Sequence, residues 1–370
     1  MQFEPAPEDL AVAEGARAIG ANLVGRAADF ERTESIPAEV FETMGKAGLM
    51  SVAGSKELGG AGRSTIAYSL SMMEIARGCA STAVTMGVTN MVGEVIAAFG
   101  TPQQIETYCP RLAGGGRGGF ALSEVGAGSD PGGMRTTATL EDGEWVIRGT
   151  KQWISHGDES VVVVVWARTD GEGSRGLSCF LVEPSAAGYR AAKHEDKMGL
   201  RASHTVGLEL DEVRVHESAM LGPRGSGFRI AMMALDGGRI GIASQAVGIA
   251  RGVLEDVRAF VREASEGLDQ GALFRIADME TRLEAARWLT LRAAQLKERG
   301  EPFTSEASMA KAFASESAWR ICNEAVEILG DDGLVRGRRV ERALRDVRVS
   351  MIYEGTSEIQ RVVISRGLLS

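Results

Sequence analysis

One block of strand-forming residues, inserted between two helical stretches, limits the folds open to this chain more than any other feature. From Gly114-Gly115-Gly116 onward, β-branched and aromatic runs appear: RTTATL and EWVIRG around Asp142-Gly143, then SVVVVVWART, LSCFLVE and TVGLELDEVRV. Such side chains suit a pleated surface. Asp142-Gly143 and the Gly-rich segment Asp170 to Gly173 are natural hairpin connections between them. On the amino-terminal side, from Pro7 to Leu112, the period is helical, broken by Pro37, by Gly59-Gly60-Ala61-Gly62 and by Pro102. After Gly222-Pro223 it is helical again. Ile240, Val247, Leu254 and Val261 recur every seven residues, with Ala243, Ala250 and Val257 three positions further on, which predicts a bundle seam. A second helix carries Ile276, Met279, Leu283 and Ala286 on one stripe, and a third is predicted from Ser305 to Leu329, ending at Gly330. The expected class is α+β, mostly α, with a helical domain over 1–117, a β domain over 118–221 and a helical domain over 222–370.

Composition excludes several function classes. The longest purely apolar stretch, Val161 to Ala167, falls far short of the roughly 20 residues that span a bilayer, so no membrane insertion is expected. The opening MQFEPAPEDL has neither the basic-then-apolar order of a secretory signal nor the arginines of a transit peptide, and a cytoplasmic location is the expectation. Lysines and arginines are dispersed and the net charge is −9, which argues against a nucleic-acid groove. Cys79, Cys109, Cys179 and Cys322 lack C-x-x-C spacing, and His156, His194, His204 and His216 lack ligand spacing, so reduced thiols and no metal are expected.

Seven short motifs then occur in order: KELGGAG at Lys56, FALSEVGAGSD at Phe120, RGTKQWIS at Arg148, KMGLRASHT at Lys197, EVRV followed by LG, LDGGRIGIA at Leu235 and IYEGTSEIQR at Ile352. Any one alone is no more than a turn. Together, in this order and spacing over essentially the whole chain, they resemble the acyl-CoA dehydrogenase family. The resemblance implies an N-terminal helical domain, a middle β-barrel and a C-terminal four-helix bundle, usually assembled as a homo-oligomer (dimer or tetramer). It implies FAD as cofactor, an acyl thioester as substrate and an electron-transferring flavoprotein as electron acceptor.

The chemistry implied is removal of a weakly acidic proton beside a thioester carbonyl, coupled to hydride loss from the β carbon. An ordinary carboxylate, with a pKa of about 4.3, is a poor base for that task unless burial raises it. Glu354 in IYEGT matches the family's catalytic glutamate. Some branches carry the base just before the arginine of LDGGR, a position held here by Gly238, which leaves Glu354 without a rival. By the same resemblance, Phe120, Leu122 and Ser123 line one edge of the flavin ring, and Trp153 and Ser155 reach its reactive face. Thr356 and Glu358 match positions near its adenosine half. Ser129, Asp236 and Arg239 match contacts to the pantetheine arm and phosphates of CoA, and Tyr353 and Gly355 flank the base on the substrate side.

Two family motifs are missing. R-x-x-F-G, whose arginine reaches the FAD pyrophosphate of a neighbouring subunit, is replaced by REASEGLDQGALFRIADM, and Q-x-x-G-G-x-G reads Glu327-Ile328-Leu329-Gly330-Asp331-Asp332-Gly333. Carboxylates beside a pyrophosphate repel it. Three readings follow: a dehydrogenase that holds FAD mainly through its own subunit, a flavin-poor member of a heteromeric complex whose partner supplies the arginine, or an acyl-thioester-binding scaffold without flavin. Persistence of Glu354, KQWIS and FALSE favours the first two. A carrier-protein thioester shares the pantetheine arm with acyl-CoA and stays open as substrate. The acyl pocket is expected around Thr85 to Val95 and Leu235, suited to a short or medium chain.

Overall fold

The computed structural model describes residues 5–263 and 269–369. Five helices come first: α1 (Pro7–Thr33), α2 (Ala38–Lys46), α3 (Thr65–Gly78), α4 (Ala80–Phe99) and α5 (Pro102–Ala113). Pro37 caps α2, Gly59 and Gly62 take positive φ in the turn before α3, and Pro102 opens α5, where Thr101 and Gln104 form a capping box. α4 is long and apolar enough to cross a membrane by composition, but it packs within the protein against α3, α5, α6 (Gly227–Glu263) and the first strand.

Eight strands follow: β1 (Gly118–Ala121), β2 (Thr137–Glu141), β3 (Glu144–Ser155), β4 (Val162–Arg168), β5 (Leu177–Val182), β6 (Tyr189–Ala191), β7 (Thr205–His216) and β8 (Met220–Leu221). They form one sheet in the order β6-β7-β3-β2-β4-β5-β8, with β1 beside β4. The β2–β3 hairpin turns at Asp142 and Gly143, with φ of 50° and 84°, the left-handed pair a tight hairpin demands. β4 is continuously apolar because both its faces are covered. Val162, Val164 and Trp166 pack toward α4, α5 and the start of α6, while Val163, Val165 and Ala167 join Trp145, Phe180 and Leu208 on the other side.

The carboxy-terminal part contains α6, α7 (Gln270–Glu298), α8 (Thr304–Leu329), the short α9 (Asp331–Leu334), α10 (Arg339–Val347) and α11 (Ser357–Leu369). The seam residues Ile240, Ala243, Val247, Ala250, Leu254 and Val257 are buried, as are Met279, Leu283 and Ala286 of α7. One core runs through them from α1 and α3 to α8 and α10. α8 stops at Gly330, whose φ is 57°. The observed architecture is therefore the expected helical, strand and helical order. All four cysteines are free and buried.

Candidate active site

Glu354 lies in the loop between α10 and α11, in left-handed backbone conformation with φ of 54°, followed by Gly355 at 89°. A non-glycine residue held there stores strain that its surroundings must sustain. Two buried side chains do so. Lys311 Nζ of α8 donates to the Gly355 carbonyl at 2.6 Å. Gln360 Nε2 of α11 donates to the Glu354 and Gly355 carbonyls at 3.0 and 2.8 Å. Glu354 Oε2 is sealed from solvent and has no hydrogen-bond partner. Burial raises this carboxyl to about 7, opposed by the charges of Arg239 and Lys311.

The carboxylate faces α6 where that helix has no side chains. A Cβ at Gly238 would lie 2.5 Å from Glu354 Oε2, and one at Gly241 would lie 2.6 Å from the hydroxyl of Tyr68 on α3. At Gly237 a Cβ would meet Lys297 Nζ at 2.8 Å, the amine that pairs with Glu94 of α4. Three glycines on α6 thus let Glu354, Tyr68 and Lys297 of the Glu94–Lys297 pair approach the helix backbone closely. Tyr68 is held neutral by burial and by the charges of Glu94 and Glu354. On α4, Gly87 and Glu94 border the same region, while Leu235 packs with Met91, Val92 and Val95.

Arg239, next on α6, is buried and bonds Asp236 at 2.5 Å, while its Nε has no partner. Asp236 in turn accepts from Thr304 Oγ1 at 2.7 Å. Tyr353 is bonded to Gln245 of α6. Ser129 is exposed in the turn after β1, beside Asp130, whose carboxylate accepts the Gly132 N–H at 3.0 Å.

The FALSE and KQWIS segments are bound together from beneath. Lys151 of β3 is fully buried, with Nζ 2.9 Å from Glu124 Oε1 and 3.2 Å from the Leu122 carbonyl. Glu124 also accepts the N–H groups of Arg135 and Thr136. A buried pair tolerates the loss of water only when both partners are this fully bonded. Gln152 donates its backbone N–H to the Ser123 carbonyl at 3.0 Å. Between Lys151 and Ile154 the β3–β7 register shifts, and Trp153 takes a φ of 63° that turns its ring outward, 60% exposed. Such a bulge re-aims a side chain at a sheet rim. Ser155 ends the strand, half-buried, and the Phe120 ring packs at a tilt against Trp166, with centroids 4.4 Å apart.

Thr356 and Glu358 border a separate surface pocket of about 390 Å³ with Trp319, Arg320, Arg348 and Arg361. The structure places Glu327 in an ion pair with Arg275 at 2.7 Å, so its carboxylate is not free-standing. Of the stretch expected to carry R-x-x-F-G, residues 264–268 lie outside the described residues.

The comparisons with known proteins agree along the whole chain. Residues 6–116, 119–213 and 225–369 match the models for the N-terminal, middle and C-terminal domains of acyl-CoA dehydrogenase. The chain belongs to the acyl-CoA dehydrogenase family. As a member of that family it is 46% identical to the mitochondrial short-chain specific acyl-CoA dehydrogenase of Bos taurus, across 93% of this chain and 85% of the relative. It is 42% identical to an acyl-CoA dehydrogenase of Bacillus subtilis, across 92% of each. The butyryl-CoA dehydrogenase of Megasphaera elsdenii superposes on all of both chains with a TM-score of 0.97 at 34% identity. The chain is thus an acyl-CoA dehydrogenase-type oxidoreductase of a FAD-dependent family.

Three contributors to the site escaped the sequence reading: the Lys311–Gln360 clamp, the Lys151–Glu124 pair and the glycine face of α6 toward Tyr68. Lys151 and Glu124 sit inside recognised motifs, but only the fold brings them together.

Proposed function

We propose that this chain dehydrogenates a short or medium acyl-CoA at its α and β carbons, with Glu354 as base. The observation that carries the reading is Glu354 Oε2, closed to solvent, without a hydrogen-bond partner and facing Gly238. The two places where the resemblance puts a base, 354 and 238, lie against one another, and only Glu354 has a side chain to act. Raised to about 7, its carboxylate is a far stronger base than a solvated one, while Arg239 and Lys311 keep a useful fraction ionised near neutral pH.

The residues present fit a flavin. Trp153 is turned out at the rim, the Phe120–Ser123 backbone is anchored beneath it by Lys151 and Glu124, and the pocket at Thr356 and Glu358 has three arginines for a pyrophosphate. FAD, when bound, supplies the acceptor for the hydride that leaves the β carbon. Phe120, Leu122, Ser123, Trp153 and Ser155 would hold its ring, and Thr356 and Glu358 its distal half. Glu354 takes the α proton onto its carboxylate. Asp236 and Arg239 orient the thioester arm, with Ser129 at the entrance, and Tyr353 and Gly355 flank the reacting carbons. The glycine face of α6 lets Glu354 come against the helix, and the similarity to short-chain acyl-CoA dehydrogenases supports a short chain.

The arginine-lined pocket supports retention of FAD by the chain's own subunit. We take an electron-transferring flavoprotein as acceptor, a cytoplasmic setting and a homo-oligomer. Phe274, Leu334, Leu368 and Leu369, all exposed on the carboxy-terminal helices, are suited to contacts between copies.

The deciding experiment is the visible spectrum of the FAD-loaded protein during anaerobic addition of butyryl-CoA. Wild type should bleach, whereas Glu354→Gln should bind FAD and ligand without bleaching. Bleaching of the variant at the wild-type rate would remove Glu354 from the reaction, and turnover only on chains beyond about twelve carbons would overturn the substrate class.

A further inference from the structure

Three of the chain's four histidines gather at one place outside the reaction space. His194 comes from the segment between β6 and β7, His204 immediately precedes β7, and the turn after β3 contributes His156 and Asp158. His194 Nε2 lies 2.7 Å from Asp158 Oδ2, and His204 Nδ1 lies 3.1 Å from that same oxygen. The three donor atoms all fall within 4.8 Å of one another. Asp158 Oδ1 is buried with no hydrogen-bond partner. His156 stands apart from this set because both its nitrogens are engaged, Nε2 with Thr85 Oγ1 at 2.8 Å and Nδ1 with Glu159 Oε1 at 2.9 Å.

We propose that Asp158, His194 and His204 form a binding site for a divalent transition-metal ion, of which Zn²⁺ is the best match. Two imidazoles with one carboxylate select such an ion over Mg²⁺ or Ca²⁺, which take oxygen ligands. Zinc bonds of about 2.0–2.2 Å place tetrahedral ligand atoms roughly 3.3 Å apart. The two distances to Asp158, 2.7 and 3.1 Å, open toward that value by roughly half an ångström or less, and the two ring nitrogens, within 4.8 Å of each other, adjust to the same spacing. His194 has the freedom to give, since 41% of its side chain is exposed. Asp158 and His194 border an open pocket of about 600 Å³, lined also by Glu34, Lys193, Asp196 and Arg201.

The local charge allows it. Arg201, the nearest guanidinium in that pocket, is already paired with Glu34 and Asp196. Glu159 sits behind the site, 3.4 Å from His204 Nδ1, with Arg117 at 2.8 Å on its far side. It approaches the ligating nitrogen itself and adds negative charge beside the ion. The ion would join the turn that follows Trp153 and Ser155 to the start of β7 and to the 194 segment, bracing the strand end at the rim of the candidate active site. The site stands independently of the reaction proposed above, because no ligand touches Glu354 or its surroundings.

The test is zinc binding by the full chain after stripping with chelator and dialysis, followed by calorimetric titration with Zn²⁺ and metal analysis. One ion per chain is expected, with affinity reduced at least about tenfold in the His194→Gln/His204→Gln double variant. The His216→Gln protein, altered at the histidine outside the cluster, should bind as wild type does. Zn²⁺ should raise the thermal unfolding midpoint of wild type and leave that of the double variant unchanged, a readout free of enzymatic activity. Equal uptake by wild type and the double variant, or no uptake by either, would overturn the proposal and leave a hydrogen-bonded histidine pair.

Discussion

Glu354 combines two unfavourable conditions, a left-handed backbone and a desolvated carboxylate, and both are sustained by Lys311. Its hydrogen bond to the Gly355 carbonyl is charge-assisted, a class worth about 1.5–3 kcal/mol, and its charge lowers the carboxyl against burial. Lys311→Met should therefore reduce turnover by about tenfold or more and move the Glu354 limb of the kcat/KM profile above the wild-type value of about 7. A pH–rate titration checks this, and an unmoved limb would make Lys311 a purely structural residue. Gly238→Ala places a methyl in the space of the carboxylate, and turnover should fall while FAD binding persists. The sequence could single out Glu354 as the candidate because a run of adjacent residues carries it. Lys311, 43 positions earlier by sequence number, was not, since nothing local in an alanine-rich helix marks which lysine turns inward. The role of Gly238 as empty space was equally hidden, because only a neighbour across the fold gives a missing side chain meaning.

At the scale of elements, β-branched runs and the seven-residue seam were legible because periodicity reports directly which face is buried. Electrostatics between helices was not. The sequence suggests that Glu327 repels a pyrophosphate, yet α7 supplies Arg275, which binds both Glu327 and Glu324 and offsets that charge. The cationic wall of the pocket at Thr356 comes from α8, α11 and the short 3-10 turn Arg348–Met351, three segments whose arginines carry no signal singly. If these residues hold the distal half of FAD, Arg320→Ala combined with Arg348→Ala should weaken FAD retention by roughly tenfold or more, since guanidinium–phosphate contacts are charge-assisted. Equilibrium dialysis against FAD measures it directly. Unchanged retention would move the pyrophosphate to a neighbouring copy.

Across the whole molecule, α10 is the joint between the three parts of the chain. Arg345 bonds Glu31 of α1, Glu341 of its own helix and the Met198 carbonyl, and Asp346 accepts the Leu200 N–H at 2.6 Å. Asp346 is buried at this joint, and desolvation raises its carboxyl to about 6 despite Leu200 and Arg342. Its folded pKa lies above the unfolded value, so the native state binds the extra proton between about pH 4 and 6. Stability from this group is thus greatest below that window and falls as pH rises through it, by up to about 3 kcal/mol for a shift of two units. Asp346→Asn keeps an acceptor for Leu200 and removes the titration. Denaturant midpoints for both proteins at pH 4.5 and 7.5 isolate the effect, because every other titrating group, Glu354 included, is common to the two. The wild type should lose more stability than the variant on going to the higher pH. Parallel behaviour would mean that Asp346 ionises as an ordinary carboxylate, and that Arg342 and Arg345 offset its burial more fully than the geometry implies.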